Sequence, residues 1–240
     1  MIKYDTGRFE KDLDVLGISL SEEQIRQYIR YYELLIEWNK KVNLTAITEY
    51  EDVMKKHFID SLALVKVFAM TEEAAVIDVG SGAGFPGLAL KIAFPFLQVT
   101  LLDSLNKRIR FLDTVIEELA LEGAVTVHGR AEDLSRQDGF RDSYDLCVSR
   151  AVANLSTLSE YCLPFVKRGG KFIAYKSGQT EEEARAAEKA IVLLGGRAEE
   201  RIEFVLPNSE ISRSLYVIGK TGKTPERFPR KAGLPGSNPL

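Results

Sequence analysis

The chain reads as an α/β fold of the Rossmann-like kind. It should hold a sheet of about seven strands, mostly parallel, with an antiparallel hairpin at one edge and a helical cap in front. Three observations predict this. Short apolar runs alternate with helix-length stretches from residue 74 onward, glycines cluster directly after the first run, and the last two runs have no helix between them. Strands this apolar imply a sheet covered by helices on both faces, with right-handed crossovers between parallel neighbours. Such sheets bind ligands beyond the carboxyl ends of their strands.

The first 70 residues read as helix. Ser21-x-x-Gln24 has the form of a capping box, in which each partner satisfies an otherwise orphaned N–H. Ile25, Tyr28, Ile29, Tyr32, Leu35 and Ile36 follow at helical spacing, and the helix should end near Trp38-Asn39, where KKVNLTAIT breaks the period. Two shorter helices are expected over 50–57 and 60–69. Strands are expected over 74–80, 97–103, 124–129, 145–152 and 171–176, with helices over 86–93, 105–120, 154–167 and 180–194 between them. The runs 197–207 and 214–220, joined through PNSE, suit a hairpin. The tail TGKTPERFPRKAGLPGSNPL has too much proline and glycine for regular structure. The division expected is a cap, 1–70, and a ligand-binding domain with a basic tail, 71–240.

Composition narrows the function. With 45% hydrophobic and 28% charged residues the chain can bury a substantial core. No apolar run approaches the ~20 residues of a membrane span, and the charged N-terminus lacks a signal-peptide core. Cys147 and Cys162 form no CxxC pair, and with only His57 and His128 beside them no zinc site is expected. The expectation is a cytoplasmic protein without membrane or metal, and by default a monomer. A net charge of −3 argues against nonspecific coating of nucleic acid. Yet from Arg213 onward Arg213, Lys220, Lys223, Arg227, Arg230 and Lys231 face only Glu226, so a local phosphate-binding patch and a solvated tail both fit.

The stretch DVGSGAGFPG, residues 78–87, carries two patterns. Gly82-x-Gly84-x-x-Gly87 matches a dinucleotide fingerprint, whereas Asp78 followed by Gly80-x-Gly82-x-Gly84 suits a cofactor without phosphate. Glycines there let the backbone approach a ligand closely. A carboxylate at Asp78 repels a pyrophosphate and favours an ammonium or sulfonium group, which S-adenosylmethionine carries. Asp103 ends the second strand, where an acid reaches ribose hydroxyls, and Ala131-Glu132-Asp133 follows the third, within reach of an adenine edge. A short-chain dehydrogenase would need Tyr-x-x-x-Lys after strand four, but Tyr161 is followed at that spacing by Phe165.

The methyl acceptor is narrowed by what the chain lacks. No [DN]PP[YF] motif follows strand four, which reads SRAVANL, and both cysteines read as core residues rather than as a nucleophile. Guanine N7 needs neither, since its lone pair carries no proton and in-line alignment does most of the work. His57, Asp60 and Ser61 share a helical face, where one helix cannot set up the geometry of a catalytic triad, so a packing and capping cluster is expected.

Taken together, Trp38-Asn39 with Asn43-Leu44-Thr45-Ala46, His57 with Asp60-Ser61-Leu62, the loop 78–87, Asp103-Ser104 with Lys107-Arg108 and Phe111-Leu112, Arg130-Ala131-Glu132, and Ser149-Arg150-Ala151 resemble the RsmG (GidB) family of 16S ribosomal RNA guanine-N7 methyltransferases. The resemblance spans nearly the whole chain and implies a class I methyltransferase fold using S-adenosylmethionine. It implies that Gly80 and Phe85 contact the cofactor, Asp103 holds its ribose and Ala131-Glu132 frame its adenine. Arg150 would face the cofactor and the reaction centre as the catalytic candidate, and Lys107 and Arg108 would contact RNA phosphates. The implied substrate is guanine 527 in the 530 loop of 16S RNA, presented by the RNA or the small ribosomal subunit; N7 lies on the deep major-groove edge of A-form RNA, so an opened region is needed. Arg230 and Lys231 are the tail's RNA candidates, although the family's closing pattern has a basic residue where this chain has Ser237, and Lys176-Ser177-Gly178 stands where Lys-Gly is common. A non-catalytic RNA-binding or ribosome-assembly factor is the rival; the intact loop with Asp78 and Asp103 speaks against it.

Overall fold

A computed structural model of the chain describes residues 4–70, 73–150, 153–177 and 181–240. Seven strands form one sheet in the order β3-β2-β1-β4-β5-β7-β6: β1 Ala75–Val79, β2 Gln98–Asp103, β3 Ala124–His128, β4 Tyr144–Ser149, β5 Val166–Lys176, β6 Gly196–Val205 and β7 Ser212–Lys220. Pairs among β1 to β5 are parallel, and β7 runs antiparallel to both β5 and β6. The chain first winds outward from β1 to β3 and then returns to β4, so a crevice opens where the order reverses. The hairpin lies at the sheet edge as its sequence suggests. Apolar β7 is inserted beside β5, and β6 takes the rim, where exposed Glu199, Glu200 and Glu203 discourage further strand pairing.

Alternation along the strands divides the core into two layers. Val76, Leu101, Leu146 and Ile173 join one layer with helices α1 Gly7–Val15, α2 Glu22–Asn39, α5 Gly87–Ala93 and α6 Asn106–Glu118. Ile77, Leu102, Cys147 and Phe172 join the other, with α8 Leu155–Cys162 and α9 Glu181–Leu193. Cys147 and Cys162 are wholly buried free thiols there.

The capping box at the start of α2 forms: Ser21 Oγ accepts from Gln24 N–H at 3.2 Å, and Gln24 Oε1 accepts from Ser21 N–H at 2.8 Å. The Gln24 amide nitrogen also donates to the Ile92 and Ala93 carbonyls at 2.7 and 3.1 Å, satisfying the end of α5. The buried stripe is Ile25, Tyr28, Tyr31, Leu34 and Leu35, so the face is turned from the expected one and Ile29, Tyr32 and Ile36 are only half-buried. Two tyrosines account for the turn. Tyr28 Oη donates to the Ala89 carbonyl at 2.6 Å and Tyr31 Oη to the Ala83 carbonyl, anchoring the cap on the glycine loop.

Three elements depart from their expected bounds. In place of two helices after residue 50, one continuous helical stretch runs through α3 Tyr50–Val53, a π turn Met54–Ile59, α4 Asp60–Leu62 and a 3-10 turn Ala63–Lys66. The helix expected over 154–167 ends at Cys162, a 3-10 turn follows over Leu163–Phe165, and β5 starts at Val166. Lys167-Arg168-Gly169-Gly170 masks that early strand as a polar loop; pairing of Tyr144 with Val166 recruits it to the sheet. The tail holds one helical turn, α10 Leu234–Ser237. Residues 151 and 152 of the expected fourth strand, with Ala151 of the Ser-Arg-Ala motif, lie outside the described residues, as do Gly178 and residue 180 of the helix expected over 180–194.

Candidate active site

β1 ends at Asp78-Val79, and the chain turns through Gly80, Gly82 and Gly84 at φ of 75°, 60° and 90°. Those angles favour glycine, but the glycines serve different ends. A Cβ on Gly84 would stand 2.4 Å from Tyr31 Oη and 2.7 Å from Leu88, and one on Gly87 2.4 Å from Leu101. These two let helix, strand and cap close up. A Cβ on Gly82 would meet nothing nearer than 3.9 Å, so there the backbone faces open space.

Asp78 is wholly buried. Its Oδ2 accepts from the Gly87 N–H at 2.8 Å, while Oδ1 has no partner. Burial pushes the carboxyl up to about 7, against the opposing pull of that hydrogen bond and of Arg150. Asp103 closes the loop from the next strand. Its Oδ2 accepts from Gly82 N–H at 2.9 Å and from Arg108 Nη1 at 3.1 Å, and its Oδ1 from Leu105 N–H at 2.8 Å. A carboxylate offers about four acceptor sites, so roughly one is left. Beyond β3, helical turn α7 Ala131–Leu134 sets Glu132 with Oε1 accepting from the Gly233 N–H at 2.9 Å.

A cavity of about 310 Å³ opens at the carboxyl ends of β1 to β4, lined together by Gly80, Asp103, Ala131 and Glu132, with Arg108, Arg130, Tyr161 and Gly233. Its size falls within the ~300–1,000 Å³ of small-molecule sites. A wider groove of about 930 Å³ runs between α1 and α2. Its lining mixes Leu13, Ile18, Ile25 and Ile29 with Glu10, Asp14, Arg26 and Arg30 and holds neither a strand end nor a glycine loop, so the smaller cavity is the candidate site. The cavity and the orphaned Asp78 oxygen fit S-adenosylmethionine: carboxylates for the ribose and purine side, and a buried acceptor without a partner for a cationic group.

Asp78, Gly82, Gly84, Phe85 and Arg150 are not among the residues lining that cavity. The Phe85 ring is buried between Tyr31, at 5.4 Å, and His57, stacked at 4.4 Å and 11°. Arg150 follows β4 and reaches the cap. Its Nη1 donates to Asp60 Oδ2 and to the Lys56 carbonyl, both at 3.2 Å, and its Cζ stands 5.1 Å from the centre of the Phe85 ring. Its Nη2 lies 3.1 Å from His57 Nδ1. A guanidinium only donates, so Nδ1 accepts and the neutral ring's proton sits on Nε2, 2.8 Å from Thr45 Oγ1. Burial, reinforced by the Arg150 charge, pushes His57 down to about 3. Asp60 also accepts from Arg213 Nε at 3.1 Å, and Ser61 Oγ donates back to the His57 carbonyl at 2.6 Å. His57, Asp60 and Ser61 thus have no triad geometry. They join cap to sheet.

The cations expected at RNA separate into two groups. Lys107 and Lys231 are exposed. Arg108 is half-buried and pairs with Asp103 in the cavity wall. Arg230 grips the wholly buried Glu160 through Nε and Nη2, at 2.9 and 2.7 Å, so its donors fasten the tail. Lys220 is buried as well, donating to the Leu163 carbonyl at 2.6 Å, and Arg213 serves Asp60. The tail therefore presents Lys223, Arg227 and Lys231 to solvent, a smaller patch than its sequence suggests. Gly233 and Tyr161 of the cavity wall carry no local signal, whereas Arg130 sits in the Arg130-Ala131-Glu132 motif, which by itself gives it no role; Gly233 meets Glu132 across 101 residues of chain.

Sheet order, terminal antiparallel pair and cavity define a Rossmann-like class I methyltransferase fold. Solved structures share the fold: a SAM-dependent O-methyltransferase of Thermotoga maritima (TM-score 0.52, 16% identity, 80% of this chain and 72% of that one) and M. jannaschii TYW2 in complex with AdoMet (TM-score 0.50, 13% identity, 85% and 78%). The family model described as rRNA small subunit methyltransferase G matches residues 24–212, and the chain belongs to that GidB family. Ribosomal RNA small subunit methyltransferase G of Lachnoclostridium phytofermentans is 50% identical over 236 residues, 98% of each chain, and that of Alkaliphilus metalliredigens 51% identical over 225 residues, 94% of each. Among the described residues no helix is long and apolar enough to cross a membrane, and no group of three or more His, Cys, Asp or Glu could hold a metal ion.

Proposed function

We propose that the chain methylates N7 of a guanine in 16S ribosomal RNA, guanine 527 of the 530 loop, with S-adenosylmethionine as donor. The observation that carries this reading is the single cavity where Gly80, Asp103, Ala131 and Glu132 meet, in a chain of this family. When bound, the cofactor supplies an electrophilic methyl on a sulfonium. The protein's own part is placement. Asp103 offers an acceptor to the ribose, Ala131-Glu132 border the adenine, and Gly80 and Gly82 let the backbone come close. Gly84 and Phe85 set the loop from beneath, and Asp78 favours the cationic end. Guanine N7 attacks through a lone pair that carries no proton, so no general base is required and alignment dominates the rate. Arg150, held by Asp60 and His57 beside the loop, sets the positive potential at the transfer centre. Lys107 and Lys231 take phosphates of the RNA or small subunit, and residues 1–70 act as a cap on a methyltransferase domain formed by 71–240.

The test has two arms. Calorimetry should show binding of S-adenosylmethionine and none of NAD. 16S RNA from a strain lacking this gene should lose one borohydride–aniline cleavage site, restored by the purified protein. An unchanged cleavage pattern would assign another acceptor, and absence of cofactor binding would remove the enzymatic reading.

A further inference from the structure

The cavity wall is contributed by residues 79–161 with one exception, Gly233. This residue reaches the β3 side of the cavity and donates its N–H to Glu132, whose side chain is only 7% exposed on a residue basis and so is held in one direction. Gly233 has φ 86°, and nothing lies within 4 Å of where its Cβ would stand, so the glycine is required by the turn and the space beside it is open.

The segment is clamped on both sides of Gly233 to a single helix, α8. Upstream, Arg230 donates its backbone N–H to Glu160 Oε1 at 2.7 Å in addition to its guanidinium contacts. Downstream, Thr157 Oγ1 donates to the Pro235 carbonyl at 2.9 Å, and Ser156 Oγ to the Leu240 carbonyl at 2.7 Å. The same helix contributes Leu158 and Tyr161 to the cavity. The tail therefore spans from α8 to α7 across the Glu132 side of the cavity, the side toward which a ribose held at the end of β2 would project its base. A carboxylate aimed there is an acceptor for an exocyclic amine, the group an adenine presents.

We propose that the C-terminal segment 232–240 is part of the nucleoside-binding site: it walls the base side of the cavity and orients Glu132 toward the purine amine. This rests on the cofactor reading above, and its test separates the two. S-adenosylmethionine and free adenosine are titrated by calorimetry into the full chain and into a chain ending at Lys231, which keeps the Arg230–Glu160 pair. The full chain should bind both, and the shortened chain should bind each about ten-fold more weakly, the scale of one lost polar contact. Equal affinities overturn the role of the tail; failure of the full chain to bind either ligand overturns the cofactor reading and the tail's role with it. Should the shortened chain not fold, the full-length Ser156→Ala/Thr157→Val variant releases the downstream clamp alone. It should lose affinity for adenosine several-fold, and S-adenosylmethionine should slow amide exchange over 232–240 in the parent. Exchange there that does not respond to the ligand overturns the proposal.

Discussion

At the scale of single residues, burial decides what each ionisable group does. Asp60 is shared by Arg150 and Arg213, so removing one arginine leaves the carboxylate with a partner, whereas removing the carboxylate leaves neither arginine with one. Asp60→Asn leaves two half-buried guanidinium groups facing each other without a counter-charge and should cost about 3–5 kcal/mol in urea unfolding. Arg150→Ala leaves Asp60 with Arg213, should cost well under that, and should depress methyl transfer strongly. Equal costs would show that the carboxylate is not shared. His57 and Asp78 titrate in opposite senses. The folded state holds His57 neutral down to about 3, whereas the unfolded ring takes a proton near 6.5, so its stabilisation is full above 6.5 and is lost as pH falls. Asp78 keeps its proton to about 7 in the fold and to 3.8 unfolded, so its contribution is full below 3.8 and is lost as pH rises through 7. Between pH 4 and 6.5 the two slopes oppose. Relative to the parent, His57→Gln should therefore gain about 2 kcal/mol between pH 7 and pH 5. Parallel stability curves would refute a buried neutral ring.

At the scale of elements, the glycine loop shows how far sequence spacing can be read. Asp78 with three alternating glycines was legible as a tight turn after a strand because glycine conformations and strand-end positions are local properties. That Gly84 serves packing and Gly82 faces open space was not, because Tyr31 and Leu112 come from elsewhere in the chain. Gly84→Ala combines overpacking of about 1–3 kcal/mol with roughly 1–2 kcal/mol of backbone strain. Gly82→Ala should cost the strain alone. Thermal unfolding of the two variants should rank them in that order, and the reverse ranking would mean the loop is not packed against the cap. The same distinction explains α2. Its period was plain, yet the buried face turned toward Tyr31 because hydroxyls seek the carbonyls of Ala83 and Ala89. The early start of β5 was hidden for a related reason: pairing of Tyr144 with Val166 recruits a segment that reads as a polar loop.

Across the whole molecule, the chain closes on itself. Its last residues return to α8 and to the cavity, and its N-terminal helices are fastened to the rest through Arg150, Arg213 and Tyr31 of α2. Net charge along the tail cannot tell a fastening cation from a binding one; burial does. Arg230→Ala uncovers the buried Glu160 and should destabilise by about 3–5 kcal/mol. Lys231→Ala should leave stability within about 0.5 kcal/mol while lowering the salt dependence of RNA binding by roughly one phosphate contact. If Lys231→Ala changes stability and leaves RNA affinity intact, the exposed tail is not a phosphate contact.

Taken alone, the amino-acid sequence determined the sheet and its helices, the strand ends that carry Gly80, Asp103 and Glu132, and the two cysteines as core. All follow from periodicity and from the conformations particular residues allow within a few positions. Only the tertiary structure decided which cations are free, which oxygen of Asp78 lacks a partner, that Arg150 is bound to the cap, and that Gly233 completes the cavity. Those are contacts between residues far apart in the chain, set by burial and close approach, and no local pattern encodes them.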